Sequence, residues 1–226
     1  HVVSVDTNKR KKDSKKFIFP QKCPSCGSKT VKDFNEQTKK FDAVRRCTSE
    51  GYQCEKIIVE KIKHFVSKEA FNIDGFGKKI VENFWKLNLI KFPYDIFNLD
   101  YNKIENLEGW GKLSVENLKY SVNLRKKISL ERLIYSLGIR HIGLENAKIL
   151  SKYFRTFSGF KELSEINRYK DLINIDGIGE TQVNSLRNFF SNRMNIKVLN
   201  ELEKVLTIEK AVLDNKNGLL NDKTFL

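Results

Sequence analysis

The stretch Ile73-Asp74-Gly75-Phe76-Gly77 is the first of four related segments that decide the fold of this chain. The other copies, in chain order, are Leu107-Glu108-Gly109-Trp110-Gly111, Ile139-Arg140-His141-Ile142-Gly143 and Ile175-Asp176-Gly177-Ile178-Gly179. Their final glycines are 34, 32 and 36 residues apart, a period that is typical of a repeated supersecondary unit. The flanking residues have helical apolar spacing and little strand-like alternation, so each copy predicts a tight turn that leads into a helix.

The periodicity of each copy continues into the helix that follows it. Small apolar residues stand four residues after each final glycine, at Val81, Val115, Ala147 and Val183. Large apolar residues stand seven residues after it, at Phe84, Leu118, Leu150 and Leu186. These two positions share one helix face, so each helix is expected to pack back in the same way. The sequence therefore predicts a mainly α fold in which four units, each a glycine hairpin between two helices, follow a small four-cysteine module.

Each predicted turn is suited to binding a phosphate group. Glycine lets a ligand approach the backbone without meeting a Cβ atom, and the first N–H groups of the following helix are unpaired and partly positive. A single copy would be read as a plain tight turn, but four copies in one basic chain favour binding of a nucleic-acid backbone without base specificity. The predicted DNA-binding residues are Gly75, Gly77, Lys78, Lys79, Gly109, Gly111, Lys112, Arg140, Gly143, Gly177 and Gly179.

The four copies differ in ways that predict unequal binding. In the third copy His141 stands where the first glycine is expected, which predicts a mainly structural role for that turn. In the fourth copy Glu180 follows the turn and is expected to weaken a phosphate contact. We expect Gly75→Val and Gly109→Val to weaken DNA binding more than folding, because the added Cβ atoms would block the phosphate.

Charge and composition agree with a polyanionic partner. The formal net charge is +14, which favours nucleic acid or an anionic membrane, although a well-solvated basic surface has the same composition. Residues 1–63 hold 16 Lys/Arg and 8 Asp/Glu, a net charge of +8. No signal peptide, membrane-spanning stretch or anchored amphipathic basic helix is evident, so a membrane is not the expected partner.

Four cysteines within a short segment predict a metal site. Cys23 and Cys26 form a C-x2-C pair, and Cys47 and Cys54 form a C-x6-C pair after a loop. Two close pairs of thiolates suit a structural tetrahedral Zn2+ site, with Lys22, Arg45 and Arg46 available to offset the thiolate charge. Two disulfides are the alternative, which a reducing cytosol disfavours. His64 is a further potential ligand, but the four cysteines already complete the site.

Both features resemble parts of the bacterial NAD-dependent DNA ligases. The turns resemble the helix-hairpin-helix motif, whose paired copies bind the minor-groove backbone of duplex DNA. The strings that carry the resemblance to the ligases are Cys23-Pro24-Ser25-Cys26-Gly27-Ser28, Arg46-Cys47, Lys63-His64-Phe65-Val66-Ser67, Ile73-Asp74-Gly75-Phe76-Gly77 and Leu137-Gly138-Ile139-Arg140. The resemblance covers essentially the whole chain.

The same resemblance implies a division into segments. Residues 1–19 correspond to the end of an oligonucleotide-binding barrel, with Val2-Val3-Ser4-Val5 as its last strand, and a basic linker. Residues 20–60 correspond to the four-cysteine zinc finger, and residues 61–206 to the helix-hairpin-helix domain. Residues 207–226 correspond to a linker and the start of a BRCT domain, with Gly218–Leu226 as its opening strand. Both ends thus look like positions within a longer protein.

The resemblance implies a ligase that seals nicks in duplex DNA through an adenylated lysine and adenylated DNA, with NAD as the adenylate donor and Mg2+ assisting. The adenylated lysine of this family lies in a Lys-x-Asp-Gly motif, whereas Asn72 and Asn174 occupy that position before the two Asp-Gly pairs here. No catalytic residue is therefore assigned. We expect NAD and Mg2+ to bind to domains outside this chain, and the chain alone to be an inactive, monomeric DNA clamp in the bacterial cytoplasm, associated with the nucleoid.

Two other functions fit part of the sequence. A non-catalytic helix-hairpin-helix module of another DNA repair protein would share the turns, without the adjoining four-cysteine module. A protein-interaction module would use the same segments as plain helical turns, and its binding would lack the salt dependence of phosphate contacts.

Overall fold

The computed structural model describes residues 3–35, 38–49, 51–165 and 169–212, which form two compact units, 1–49 and 50–226. The predicted mainly α fold is confirmed, since the larger unit is built from short helices. The expected opening strand Gly218–Leu226 lies outside the described residues. The same holds for Val2, while residues 3–6 form no strand.

The smaller unit contains two pairs of very short strands. Strand β1 (Thr30–Val31) pairs antiparallel with β4 (Arg46–Cys47), and β2 (Phe34–Asn35) pairs antiparallel with β3 (Lys40–Phe41). A single 3-10 turn covers Thr7–Lys9. Among the described residues of this unit only Cys23 and Thr30 are buried, so apolar burial contributes little to its stability.

Arg45 and Arg46 support this small unit through hydrogen bonds. The Arg45 guanidinium donates to the hydroxyl and carbonyl oxygens of Thr30 at 3.0 and 2.7 Å. Arg46 forms ion pairs with Asp33 and Asp42, each at 3.1 Å. Both arginines thus join the strands and loops of this unit, and their offset of the thiolate charge stays a prediction.

The larger unit begins with a helix at Glu55, within the segment 20–60 that the sequence assigned to the zinc finger. Ten helices are described in it: α1 Glu55–Phe65, α2 Lys78–Lys86, α3 Tyr101–Glu105, α4 Lys112–Leu124, α5 Leu130–Ser136, α6 Leu144–Phe154, α7 Phe157–Lys161, α8 Tyr169–Leu172, α9 Glu180–Ser191 and α10 Arg193–Val205. Two 3-10 segments, Pro93–Asn98 and Glu162–Ser164, connect some of them. No described helix is long and apolar enough to cross a membrane.

One short sheet in this unit was not predicted. Strand β5 (Lys127–Ser129) pairs in parallel with β6 (Thr207–Glu209), with Ile128 opposite Ile208. The amide of Thr207 also donates to the carbonyl of Lys126 at 2.7 Å. Residues 207–209, assigned from the sequence to a linker, thus form part of the folded helical unit.

The predicted helix faces form the core of the larger unit. All eight residues at the two repeated apolar positions are buried: Val81, Val115, Ala147, Val183, Phe84, Leu118, Leu150 and Leu186. Around the first turn the core is aromatic, with Phe65 and Phe71 stacked at 4.1 Å between ring centroids. The prediction that the four helices pack through equivalent positions is confirmed.

Candidate nucleic-acid interface and metal centre

The four repeated segments form the same backbone turn. In each, the amide N–H of the residue before the final glycine donates a hydrogen bond to the carbonyl oxygen of the first residue of the segment, with N–O distances of 3.0–3.2 Å. The third residue of each turn has a positive φ: 78° at Gly75, 79° at Gly109, 60° at His141 and 84° at Gly177. A turn with an i to i+3 bond and a positive φ at its third position resembles type II geometry, which explains why glycine recurs there.

His141 therefore adopts the backbone conformation of the glycine that it replaces. Its φ of 60° lies in the left-handed region, where histidine is tolerated better than a β-branched residue. The amide of Ile142 still donates to Ile139 at 3.0 Å, so the third turn is closed like the others. The substitution leaves the turn intact.

A helix begins directly after each turn, with the second glycine as its N-cap. Gly77, Gly111, Gly143 and Gly179 all have extended backbones, and the first helical hydrogen bond reaches each glycine carbonyl at 2.9–3.1 Å. The amides of the first helical turn have no intrahelical acceptors and carry the positive end of the helix dipole. Each turn thus presents a group of N–H donors at an exposed helix end.

The fold itself places few demands on the second glycine. A Cβ atom added at Gly77, Gly111 or Gly143 would meet no heavy atom within 4 Å, and the extended backbone there suits any residue. All eleven residues predicted to bind DNA are exposed. A phosphate of the DNA backbone requires open space over exposed amides. Access for a phosphate therefore explains these glycines, whereas packing within the fold does not.

The four helix ends are not equivalent in their free donors. Ser114 Oγ accepts the Gly111 amide at 2.9 Å, and Gln182 Oε1 accepts the Gly179 amide at 3.2 Å. The first and third copies have Ile80 and Asn146 at the corresponding helix position, and neither residue has such a bond to the N-cap amide. The second and fourth turns consequently offer one amide fewer to a ligand.

Charge also separates the four turns. Lys78 and Lys79 are the first residues of α2, which follows the first turn, and Lys112 is the first residue of α4, which follows the second turn. The fourth turn has Asp176 in the turn and Glu180 as the first helical residue, both exposed. Two nearby carboxylates disfavour an anion, so the fourth turn is the poorest phosphate site by charge.

The turns pack as two pairs, and each turn contacts the helix that follows its partner. In the first pair, Gly75 lies against Leu118 of α4, with 3.9 Å from its ideal Cβ position to Leu118 Cδ1. Trp110 of the second turn in return packs on Phe84 of α2, with 5.5 Å between ring centroids. This reciprocal packing places the two turns of a pair side by side.

The second pair repeats this arrangement with different chemistry. An ideal Cβ atom at Gly177 would lie 2.7 Å from Ile149 Cδ1 of α6, so a side chain there would require Ile149 to shift. In the other direction His141 Nδ1 lies 3.1 Å from Ser185 Oγ of α9. No sequence pattern marks Ile149 or Ser185, because these contacts depend on how the two turns of a pair assemble.

Two arginines that the sequence analysis did not single out hold the segment before the first turn. Arg132 donates to the carbonyls of Ala70 and Lys68 at 2.7 Å each, and Arg125 donates to the carbonyl of Asn72 at 3.1 Å. These bonds satisfy backbone carbonyl oxygens in the loop between α1 and the first turn. Arg125 and Arg132, which follow the second turn in the chain, thus hold the segment that leads into the first turn.

The four cysteines form one cluster. The sulfur atoms of Cys23, Cys26, Cys47 and Cys54 all lie within 4.8 Å of one another. Ligands of a tetrahedral zinc ion with Zn–S bonds of about 2.3 Å would be separated by about 3.8 Å. All four cysteines are free of disulfide bonds, and Cys26 and Cys47 are 3.4 Å apart at sulfur. The predicted clustering is confirmed, and the donor set suits a thiophilic metal such as zinc.

The turn around Cys23 and Cys26 is built to present both sulfurs. Gly27 has a φ of 74° and donates its amide to the Cys23 carbonyl at 2.8 Å. Hydrogen bonds, first from Ser28 and then from Ser49, lower the pKa of the Cys26 thiol to about 5. A thiol with a lowered pKa is deprotonated at neutral pH, which is the form that binds metal.

His64 has a structural role in the larger unit. Its Nε2 lies 2.8 Å from the carbonyl oxygen of Tyr135, and its ring packs edge-to-face on the Tyr135 ring at 4.7 Å. His64 is also the nearest neighbour of a Cβ atom added at Gly138, at 3.3 Å. It joins α1 to the end of α5 and does not belong to the cysteine cluster.

Comparison with known proteins identifies a motif family and several similar DNA ligases. The helix-hairpin-helix motif family matches residues 132–199, which contain the third and fourth turns. A DNA ligase from Pelagibacter ubique (strain HTCC1062) is 66% identical over 226 residues, which cover 100% of this chain and 33% of that ligase. This chain is homologous to the DNA ligases. Those of Rhizobium meliloti (strain 1021) and Wolbachia pipientis wMel are each 40% identical, over 94% and 98% of this chain and 32% and 33% of their own lengths.

The homology to DNA ligases runs through both units of the chain, as the resemblance predicted. The chain spans about a third of the length of the ligases that it matches. The motif match covers the third and fourth turns, whereas the first and second have the same hydrogen bond and φ values. The four turns are thus one structural type within a ligase-homologous chain.

Proposed function

We propose that this chain is the DNA-binding part of an NAD-dependent DNA ligase, and that it holds the duplex on both sides of a nick through the phosphate backbone. The observation that carries the proposal is the set of four exposed turns, each followed by a helix N-terminus, with open space above the N-cap glycine in the first three. The net charge of +14 supports an anionic ligand. The homology to DNA ligases supports the nick as the relevant feature of the DNA.

The chemistry of sealing is assigned to other parts of such a ligase. The chain has no Lys-x-Asp-Gly sequence, so we expect neither adenylation nor sealing from it alone. NAD and Mg2+ would bind elsewhere in the longer enzyme. The role of this chain is to orient the ends of the nick, and orientation is a large part of the barrier to a reaction between two groups.

The cysteine cluster is proposed to hold one structural zinc ion. Cys23, Cys26, Cys47 and Cys54 would supply four thiolates, which leaves no open position for a substrate. The metal would supply folding energy to a unit with very little buried apolar surface. It would take no part in the sealing chemistry.

Binding of nicked duplex at increasing salt tests the proposed function. Fluorescence anisotropy with a labelled nicked duplex should give a linear plot of log K against log salt concentration. If each turn neutralises one phosphate, the slope is about −3.6, because each phosphate contributes about −0.9. Duplexes of unrelated sequence should bind equally well. An affinity that stays constant between about 50 and about 200 mM salt would exclude phosphate contacts and favour a protein-interaction module.

Location and assembly remain part of the proposal. We expect a monomer that works in the bacterial cytoplasm in association with the nucleoid, because its ligand is chromosomal DNA. A sedimentation experiment that finds a stable dimer without DNA would contradict the monomer.

A further inference from the structure

In the second pair of turns, one of the two reciprocal contacts is a hydrogen bond. His141 Nδ1 lies 3.1 Å from Ser185 Oγ, on the helix that follows the fourth turn. The Ser185 hydroxyl donates its one hydrogen to the carbonyl of Thr181 at 2.9 Å. Ser185 therefore accepts at this contact, and His141 Nδ1 carries the hydrogen that it donates. The donor of this bond is therefore in the third turn, and its acceptor is on α9.

The backbone of His141 is held as well as its ring. Asn146 of α6 donates its side-chain amide to the His141 carbonyl at 2.9 Å. The φ of 60° at His141 imposes backbone strain on a residue with a Cβ atom. Glycine would remove that strain and would match the other three turns. The bond to Ser185 is an interaction that glycine could not make, and it connects the third turn to α9, the helix that follows the fourth turn.

We propose that His141 is a positioning residue, which fixes the third turn against α9 so that the third and fourth helix ends meet one duplex as a single unit. This inference rests on the proposed function. The third turn contains Arg140, but its helix begins with Leu144 and Glu145 and has no lysine there, and the helix of the fourth turn begins with Glu180. Each is a weak site by charge, so their joint binding depends on being held at the correct spacing. Ile149 on Gly177 provides the contact in the opposite direction.

The test is a set of variants in the whole metal-bound chain, measured by anisotropy with nicked duplex and by thermal unfolding. His141→Gly restores the repeated glycine, yet it should weaken binding by about two- to twelvefold, the effect of one neutral hydrogen bond. Its melting temperature should change little, because lost strain and lost bond offset each other. Ser185→Ala should weaken binding to the same extent. The double variant should be no weaker than either single variant, since both remove one interaction.

Asn88→Gly is the matched control. Asn88 is exposed and has a φ of 57°, but it follows α2 and lies outside the four turns. This variant should bind DNA like the unmodified chain. The inference is overturned if His141→Gly binds as tightly as the unmodified chain or more tightly, or if the two single effects multiply in the double variant. If the unmodified chain binds DNA in a salt-dependent way in the same titrations, the proposed function still holds. If the unmodified chain shows no salt-dependent binding, the proposed function itself is contradicted.

Discussion

Replacement of Gly77 by serine would separate what a turn glycine does for folding from what it does for binding. Gly77 is the N-cap of α2, with φ −69° and ψ 169°, and an added Cβ atom would meet nothing within 4 Å. Serine is a better N-cap than glycine by a few tenths of a kcal/mol. For a protein of this size, the melting temperature should stay constant or rise by about 1 °C.

DNA binding should change in the opposite direction. The serine Oγ would accept an amide of the first helical turn, and the Cβ atom would stand in the space proposed for a phosphate oxygen. Loss of one hydrogen bond to a charged group costs about 1.5–3 kcal/mol, which corresponds to a roughly 10- to 150-fold weaker Kd. The slope of log K against log salt should also become shallower by about 0.9, because one phosphate contact is lost.

The assay is anisotropy with nicked duplex over a range of salt, combined with thermal unfolding followed by circular dichroism. Gly75→Ser is the comparison, because its φ of 78° imposes backbone strain of about 1–2 kcal/mol on serine. That variant should lose stability, and for the same reason Gly75→Val and Gly109→Val are poor probes of binding. If Gly77→Ser binds like the unmodified chain at an unchanged melting temperature, the first turn does not contact phosphate.

Two further predictions concern charge and metal. Glu180→Gln should tighten DNA binding about threefold at low salt, the effect of removing one carboxylate about 7 Å from a phosphate in water. The same variant should lower the free energy of unfolding by about 0.3–1 kcal/mol, because the favourable interaction of Glu180 with the helix dipole is lost. Equal or weaker binding in anisotropy would argue against a phosphate at the fourth turn. Removal of metal with a chelator should unfold residues 1–49, where only Cys23 and Thr30 are buried among the described residues, and leave most of the helical signal. Limited proteolysis and elemental analysis would check this, and one intact, protease-resistant unit in metal-free protein would contradict it.

The repeat and the cysteines were predictable because their signals are local. A turn with a positive φ needs glycine within a few residues, and the following helix shows its buried face at fixed spacing, as at Val81 and Phe84. The short spacing within each pair of cysteines likewise limits the distance between the two sulfur atoms of that pair. These features depend on a few neighbouring residues, so the chain reports them directly.

Contacts between distant segments were not predictable in the same way. The parallel pair of β5 and β6 joins residues that are 80 positions apart, with only three residues in each strand. Arg125 and Arg132 bind backbone carbonyls, which every residue has, so no partner side chain marks the site. Tertiary structure decides such contacts, and a short polar or charged segment gives no periodic signal for them.

The third turn shows that one glycine position can carry two separate requirements. A positive φ is required in all four turns, and a residue with a Cβ atom can meet it at an energetic cost, as His141 does. A close contact is added only at Gly177, where Ile149 Cδ1 would lie 2.7 Å from a Cβ atom. The corresponding distance at Gly75 is 3.9 Å, and Gly109 has nothing within 4 Å. A side chain in the fourth turn would need Ile149 to shift in addition to the strained φ, whereas the third turn accepts a side chain that reaches α9. The histidine in the third turn and the glycine in the fourth are thus the two sides of one packing arrangement, in which His141 contacts α9 and Ile149 of α6 contacts Gly177.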